Sequence, residues 1–246
     1  MLSFLKNHPF AVEAFFQRSL VLTFAALKEE LQPLIPECLA LDVFGDRWAF
    51  VAVAMVQTTG LRPKGFPKLC GNDFFLIGYR VFVRYTNRAG RRLRGLYILK
   101  SETDSRMMEF FGNIFTHYRY TTTDIRQIRH DHQLEVRSER SDLCVVIETG
   151  EGDVPLPDQS PFADWKEARK FAGPMPYTFT YNEETKKVLI IEGVREHWTP
   201  RPVQVTDYHI SFLQTLPLSS PVLANAFVVE NIPYHWKKGR MESWNA

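Results

Sequence analysis

The sequence predicts a mainly β protein of the α+β class, a closed antiparallel β barrel with a few flanking helices. Many short β-rich runs, often alternating apolar with polar residues, are separated by Gly, Pro and Asn turns. Phe occurs 19 times in 246 residues, and aromatic residues suit strands and a packed interior. Apolar residues make up 45% of the chain, which is enough for one sizeable core. We therefore expect residues 1–246 to form a single domain.

Composition and charge exclude several classes of protein. The formal net charge of +2 is too small to favour nucleic-acid binding. Cys38, Cys70 and Cys144 lie far apart, without the paired spacing of a disulfide scaffold or a zinc site. The sequence shows neither a signal-peptide pattern nor an uncharged apolar run long enough to span a membrane. We therefore expect a soluble cytoplasmic protein with no metal, no cofactor, no nucleic-acid partner and no membrane contact.

Local patterns predict the order of the elements along the chain. Strands are predicted over residues 19–25, 39–44, 48–58, 74–86, 94–102, 118–129, 133–140, 143–148, 177–181, 187–194, 224–230 and 234–236. Helices are predicted over 28–32, 103–115, 160–173 and 207–216. The first hairpin is expected to turn at Gly45 and Asp46. Segment 59–73, rich in Gly, Pro and basic residues, is expected to be a long loop, either a solvated connector or a functional rim.

The helix over 103–115 carries apolar side chains at helical spacing, and its N-cap is sought among residues 103–105. Met107, Met108 and Phe111 share one face with later apolar residues. This pattern favours a core-facing helix over a Met-rich binding surface.

Two clusters of polar residues could indicate a metal site and a nucleic-acid site, but each has a simpler structural interpretation. His130 and His132 could chelate a metal from one strand face, but no third ligand accompanies them, so a polar strand end is favoured. The Arg-rich hairpin tip over 88–94 lacks interleaved aromatic residues, so a solvated tip is favoured over a nucleic-acid site.

The central hairpin, 74–86 with 94–102, carries the candidate functional residues. Strict alternation would place Lys100 and Glu102 on the same face as the apolar positions 96 and 98. Facing a cavity together with Arg80 and Arg106, they would form a cationic site with one carboxylate, suited to a small carboxylic or keto acid. Alternatively, these side chains lie at strand ends and extend into water.

Each candidate has an expected role. The catalytic candidates are Lys100 and Glu102, and the ligand-binding candidates are Tyr79, Arg80, Tyr97, Arg106 and His117. The two arginines would clamp an anionic group, and Tyr97 would donate a hydrogen bond to a carbonyl oxygen. A desolvated Lys100 could form a Schiff base, with Glu102 orienting it or acting as a base, but a lysine that extends into water is the more frequent case. For His117, a structural, hydrogen-bonded histidine is the more frequent case.

Four stretches carry a resemblance to a known family. They are Leu20-Val-Leu-Thr-Phe24 with the helix through Pro36-Glu37, Trp48-Ala-Phe-Val51 with Leu61-Arg-Pro-Lys-Gly-Phe66, the segment from Tyr97 to Arg106, and the tail landmarks Glu196-His197-Trp198 and Tyr234-His235-Trp236. In their order and spacing the chain resembles the YqjF-like uncharacterised proteins, a branch of the acetoacetate decarboxylase-like superfamily. The resemblance implies a cone-shaped antiparallel β barrel with flanking helices and an internal cavity.

The resemblance does not extend to the decarboxylase mechanism. The decarboxylases of the superfamily share a Pro-Lys-Lys at the strand-to-helix junction, where one lysine forms a Schiff base and its neighbour lowers the pKa. This chain has Ser105 and Arg106 there, and the decarboxylase's cavity glutamate falls near Leu99. We therefore expect either a lyase-like enzyme acting on a small keto acid without that lysine pair, or a non-catalytic scaffold that binds a ligand or a protein. The sequence does not fix the oligomeric state, and a homo-oligomer remains open.

Overall fold

The computed structural model describes residues 3–150, 152–172 and 175–244 and is mainly β, as the sequence predicts. Its strands are β1 (Val12–Leu27), β2 (Ala40–Leu41), β3 (Trp48–Pro63), β4 (Asn72–Thr86), β5 (Arg92–Thr103), β6 (Tyr120–Thr122), β7 (Arg126–His130), β8 (Gln133–Ser138), β9 (Leu143–Glu148), β10 (Tyr177–Asn182), β11 (Lys187–Arg195), β12 (Arg201–Pro202), β13 (Val205–Ile210), β14 (Val222–Trp236) and β15 (Arg240–Ser243). Its helices are α1 (Lys28–Leu31), α2 (Arg106–Phe115), α3 (Trp165–Ala172) and α4 (Ser211–Gln214), with 3-10 turns at Ser3–Asn7, Gln32–Leu34 and Lys68–Cys70.

Within these residues the strands form two sheets. The larger sheet has the order β12-β14-β1-β3-β4-β5-β10-β11-β15, with β2 beside β4 and β6 beside β5. Strand β14 also pairs with β11, from Gly193 opposite Trp236 to Arg195 opposite Tyr234. The pairings are antiparallel except those of β5 with β10 and with β6. The smaller sheet, β13-β9-β8-β7, contains the strands predicted over 133–140 and 143–148. The strand predicted over 118–129 is divided between β6 of the larger sheet and β7 of the smaller one.

The long strands β1 and β3 are buried on both faces over much of their length. For β3, the continuous apolar run from Trp48 to Val56 predicts this burial. On one face, Leu22 and Val53 pack in the same apolar cluster as Val145 of the smaller sheet. On the opposite face, Val21 and Ala54 belong to a second cluster. The two faces of the large sheet therefore have different neighbours.

Two turn regions differ in their agreement with the sequence. Gly45 and Asp46 have φ values of +58° and +55°, which confirms the predicted turn. The predicted hairpin around it is wrong beyond a single bridge between Phe44 and Trp48, because β2 pairs with β4 instead. The predicted loop over 59–73 is shorter than expected, because β3 continues to Pro63 and β4 begins at Asn72.

Two predicted helices begin or end elsewhere. Helix α3 starts at Trp165 rather than at 160, because the carboxylate of Asp164 accepts a hydrogen bond from the Glu167 amide while the Ser160 hydroxyl donates to the Ala224 carbonyl. The predicted end at Gly173 lies outside the described residues. Residues 207–210 pair with β9 as part of β13, so only α4 remains of the helix predicted over 207–216.

Helix α2 has the predicted N-cap, since the Ser105 side chain accepts a hydrogen bond from the Met108 amide at 3.2 Å. The expectation that its apolar face points into the core is only partly correct. Met108 is buried, whereas Met107, Phe110 and Phe111 are 50%, 62% and 48% exposed. None of the helices in the described part of the chain is long and apolar enough to cross a bilayer.

Candidate ligand-binding site

A cavity of about 220 Å³ lies on the face of the large sheet opposite to the smaller sheet. Side chains of eight strands of the large sheet line it, together with α2 and the segment that precedes β1. Its wall is mainly apolar and aromatic. Its hydroxyl, imidazole and guanidinium groups belong to His8, Ser19, Thr58, Arg80, Ser101, Thr116, Tyr118, Tyr120, Thr178, Arg195 and Tyr234. An apolar cavity with a few polar groups is typical of small-molecule sites.

Arg80 extends from β4 into this cavity. Alternation along β4 directs Leu76, Arg80 and Phe82 to the cavity face, with Gly78 between them. A Cβ atom at position 78 would lie 2.7 Å from the Arg80 Nε, so a glycine there leaves room for the guanidinium group. Burial lowers the pKa of Arg80, Tyr234 and two further tyrosines raise it, and Arg195 lowers it. The Arg80 Nε is buried and has no hydrogen-bond partner.

Arg195 reaches the same cavity from the end of β11. Its guanidinium carbon lies 4.7 Å from the ring centroid of Trp198 and 5.1 Å from that of Tyr234. Both distances are within the range of cation–π interactions, and these interactions hold the guanidinium group over two aromatic faces. Burial lowers the pKa of Arg195. Its Nη2 is buried without a hydrogen-bond partner.

Three tyrosines complete the polar part of the wall. Burial raises the pKa of Tyr118 above its ordinary value and that of Tyr120 to about 12, so both are neutral hydroxyl donors near pH 7. Tyr234 lies on β14, and a Cβ atom at Gly193 would be only 1.9 Å from its hydroxyl oxygen. The absence of a side chain at Gly193 therefore leaves room for the Tyr234 ring beside Arg195.

His8 contributes an imidazole from the segment before β1. Its side chain is buried, and its Nε2 has no hydrogen-bond partner. Burial lowers the pKa of His8 to about 4, so the ring is neutral near pH 7. A neutral imidazole adds no charge to the cavity.

The cavity has an unbalanced positive charge. Guanidinium groups stay protonated in proteins, so Arg80 and Arg195 bring two cations. Among the residues that the structure describes, no aspartate or glutamate lines the cavity, and neither arginine forms an ion pair. Taking such charges out of water without a partner is costly.

The structure places three of the predicted site residues on the other face of the sheet. Tyr79 pairs with Lys100, but Arg80 pairs with Ile98, so Leu99 is an extra residue at a β-bulge. One extra residue exchanges the two faces of everything that follows. The expectation that Lys100 and Glu102 share a face with residues 96 and 98 is therefore wrong, and neither lines the cavity.

These residues form a polar cluster of their own. The Glu102 carboxylate, 4% exposed, accepts hydrogen bonds from the hydroxyls of Tyr79 at 3.0 Å and Ser141 at 2.7 Å. The Lys100 ammonium lies 2.8 Å from the same carboxylate and 5.0 Å from the ring centroid of Phe212. Burial raises the pKa of Tyr79, and the charge and hydrogen bond of Glu102 raise it further. The cluster is satisfied internally.

The remaining candidates lie at three separate places. Tyr97 packs against the core on the face that holds Tyr79, and burial raises its pKa. Arg106 is exposed at the first position of α2. His117 is half-buried, its Nε2 is 3.4 Å from the side-chain oxygen of Asn7, and burial lowers its pKa. Of all the predicted site residues, only Arg80 lines the cavity.

Sequence reasoning missed Arg195, Tyr120 and His8 as cavity residues. The tail landmarks give a partial signal, because Arg195 directly precedes the first of them and Tyr234 opens the second. Pairing of β11 with β14 brings these two landmarks together. No local pattern in the sequence indicates that pairing.

Solved structures of acetoacetate decarboxylase-like proteins share this fold. The acetoacetate decarboxylase of Legionella pneumophila matches with a TM-score of 0.60 over 96% of this chain and 88% of that chain, at 10% identity. The enduracididine biosynthesis enzyme MppR complexed with pyruvate matches with a TM-score of 0.54 over 95% and 90%, at 10% identity. An acetoacetate decarboxylase-like enzyme from Sphingomonas wittichii RW1 matches with a TM-score of 0.50 over 96% and 92%, at 11% identity. The chain therefore has the acetoacetate decarboxylase-like fold.

A match to a family model identifies the protein family to which the chain belongs. The model of DUF2071, described as an uncharacterized conserved protein, matches residues 14–231, and the chain belongs to this family. Membership confirms the resemblance that the sequence landmarks indicate. No curated protein sequence matches the chain.

Proposed function

We propose that the cavity binds a small organic anion, with Arg80 and Arg195 holding its acidic group. The observation that carries this proposal is the pair of buried, unpartnered guanidinium nitrogens, Arg80 Nε and Arg195 Nη2, facing a cavity without a carboxylate among its described lining residues. A ligand carboxylate would supply the missing charge and accept paired hydrogen bonds from a guanidinium fork. The aromatic wall would hold the carbon skeleton.

A small keto acid is the ligand class that we propose. Clefts for drug-sized ligands measure roughly 300–1,000 Å³, and this cavity of about 220 Å³ suits a smaller molecule. A protein with the same fold, MppR, was solved complexed with pyruvate. The neutral hydroxyl of Tyr118 or Tyr120 is a suitable donor to a ketone oxygen.

The proposed chemistry is non-covalent. In the part of the chain that the structure describes, no lysine lines the cavity. A ligand bound there therefore has no amine with which to form a Schiff base. Guanidinium and hydroxyl groups can instead stabilise the negative charge that develops on the oxygens of a bound keto acid. This stabilisation is the electrostatic part of a lyase-like reaction. Schiff-base formation at Lys100 stays a prediction, and it competes with this proposal. To test it, wild type and Lys100→Ala are each reduced with borohydride in the presence of pyruvate, and the mass of each protein is measured. Our proposal expects no adduct on either protein.

We further propose that the large sheet closes around the cavity as a barrel. Two observations support closure. Strand β14 pairs with both β1 and β11, and the strands from β1 through β3, β4, β5 and β10 to β11 pair in sequence.

The alternative proposal, a non-catalytic interaction scaffold, has one observation in its favour. Helix α2 exposes Met107, Phe110 and Phe111, which are apolar side chains that a partner would cover. Retention of ligand binding without any turnover of the bound keto acid would favour this alternative.

Calorimetric titration tests the proposed function. Pyruvate and longer 2-oxo acids are titrated into wild type, Arg80→Gln and the matched surface control Arg91→Gln, with circular dichroism to show that each variant is folded. We expect wild type and Arg91→Gln to bind alike and Arg80→Gln to bind at least about tenfold more weakly, because a charged hydrogen bond is lost. Equal affinity of wild type and Arg80→Gln, or no binding of any carboxylate to wild type, would overturn the proposal.

A further inference from the structure

We infer that the ligand of this cavity carries two negative charges, as a dicarboxylate or a phosphate monoester does. This inference rests on the proposed function and narrows its ligand class. It comes from counting the charges that face the cavity and the groups available to balance them.

Two cations face the cavity and no anion balances them. Arg80 enters from β4 and Arg195 from β11, and both line the same space. In the described part of the chain, no carboxylate lines that space, and no ion pair includes either arginine. The imidazole of His8 and the hydroxyls of Tyr118 and Tyr120 are neutral, so these groups add no charge to the two guanidinium cations.

The two guanidinium groups share one small space. Arg80 and Arg195 both line the cavity of about 220 Å³, and Arg195 lies over the ring of Tyr234, which lines it too. Repulsion between like charges is strong where apolar walls exclude water. A ligand with one negative charge would neutralise one arginine and leave the other buried and unpaired.

Each arginine has its own vacant donor, which gives the second charge a place. The Arg80 Nε and the Arg195 Nη2 are buried and unpartnered on two different side chains. A dicarboxylate would place one carboxylate on each guanidinium group, and a phosphate would bridge both with its oxygens. Both ligands share the chemistry that the cavity lacks, which is two negative charges in a small volume.

Matched ligands that differ by one charge test this inference. 2-Oxoglutarate and 2-oxopentanoate have five carbons each and differ in the second carboxylate. They are titrated at equal ionic strength into wild type, Arg195→Gln and the surface control Arg91→Gln, and glycerol 3-phosphate forms a third arm. We expect 2-oxoglutarate to bind wild type and Arg91→Gln at least tenfold more tightly than 2-oxopentanoate, and Arg195→Gln to remove that preference. Arg80→Gln provides the same comparison if Arg195→Gln does not fold.

The outcomes separate the two proposals. Equal or tighter binding of 2-oxopentanoate overturns the inference of two charges and leaves the binding of a small organic anion intact. Absence of binding by all three ligands overturns both. Tighter binding of glycerol 3-phosphate than of 2-oxoglutarate supports the inference and assigns both charges to a phosphate group.

Discussion

A side chain at Gly78 of β4 would collide with the guanidinium group of Arg80. An added Cβ would lie 2.7 Å from the Arg80 Nε and 2.9 Å from its Nη2. We expect Gly78→Ala to displace the guanidinium group and weaken anion binding at least about tenfold, because a charged hydrogen bond requires good geometry. Calorimetric titration measures the loss. Gly150→Ala is the matched control, since nothing lies within 4 Å of a Cβ at that position. Unchanged affinity in Gly78→Ala would show that the position of Arg80 does not matter.

Replacing Arg80 itself should separate stability from binding. We expect Arg80→Met to raise the free energy of unfolding of the unliganded chain by about 2 kcal/mol, since an apolar side chain removes an unpaired buried charge. The same variant should lose anion binding. Urea unfolding and titration of one preparation measure both effects. Arg106→Met is the control, because Arg106 is exposed. A marked fall in the stability of Arg80→Met would mean that the charge already has a partner.

Glu102 should matter for stability and not for the ligand. Its buried carboxylate accepts hydrogen bonds from Tyr79 and Ser141 and pairs with Lys100, all on the face opposite to the cavity. We expect Glu102→Ala to lower the free energy of unfolding by about 3 kcal/mol, because it leaves buried donors unpaired. Anion affinity should stay at the wild-type level, as it should in the exposed control Glu184→Ala. If anion binding disappears while Glu102→Ala stays stable, the site lies around Lys100 instead.

His8 should make the protein less stable in mild acid. Burial lowers its folded-state pKa to about 4 from an ordinary value of 6.5, so between these pH values the unfolded chain binds a proton that the folded chain does not. Stability contributed by the neutral ring is complete above pH 6.5 and is lost as the pH falls towards 4. The loss amounts to about 3 kcal/mol.

Urea unfolding at pH 7 and pH 4.5 measures this dependence in wild type and in His8→Asn. Asparagine tolerates the left-handed backbone of position 8, where φ is +53°. We expect the stability of His8→Asn to change less between the two pH values, whereas the exposed control His132→Asn should follow wild type. The same pH dependence in wild type and His8→Asn would show that His8 is not the group that titrates.

The sequence predicts the architecture better than the site for a physical reason. Long apolar runs and turn residues are local signals, so the mainly β class, the turn at Gly45 and the N-cap Ser105 follow from them directly. The face on which each β5 side chain lies depends on the extra residue Leu99, and the rule of strict alternation does not account for a bulge. Arg80 is identified because its strand alternates regularly through that point.

The second arginine of the site could not be predicted from local pattern. Arg195 meets Arg80 only because β11 pairs with β14 and β10, far along the chain from β4. The close approach of Gly193 to Tyr234 depends on the same long-range pairing. Such pairing sets the composition of the cavity, and it has no signature within one stretch of sequence.

The central claim is that Arg80 and Arg195 bind an organic anion inside the large sheet. A crystal structure of the chain with 2-oxoglutarate tests it most directly. We predict carboxylate oxygens about 3 Å from the Arg80 Nε and the Arg195 Nη2, with the carbon chain against the aromatic wall. A cavity that holds only water, with 2-oxoglutarate bound beside Lys100 on the opposite face, would contradict the claim.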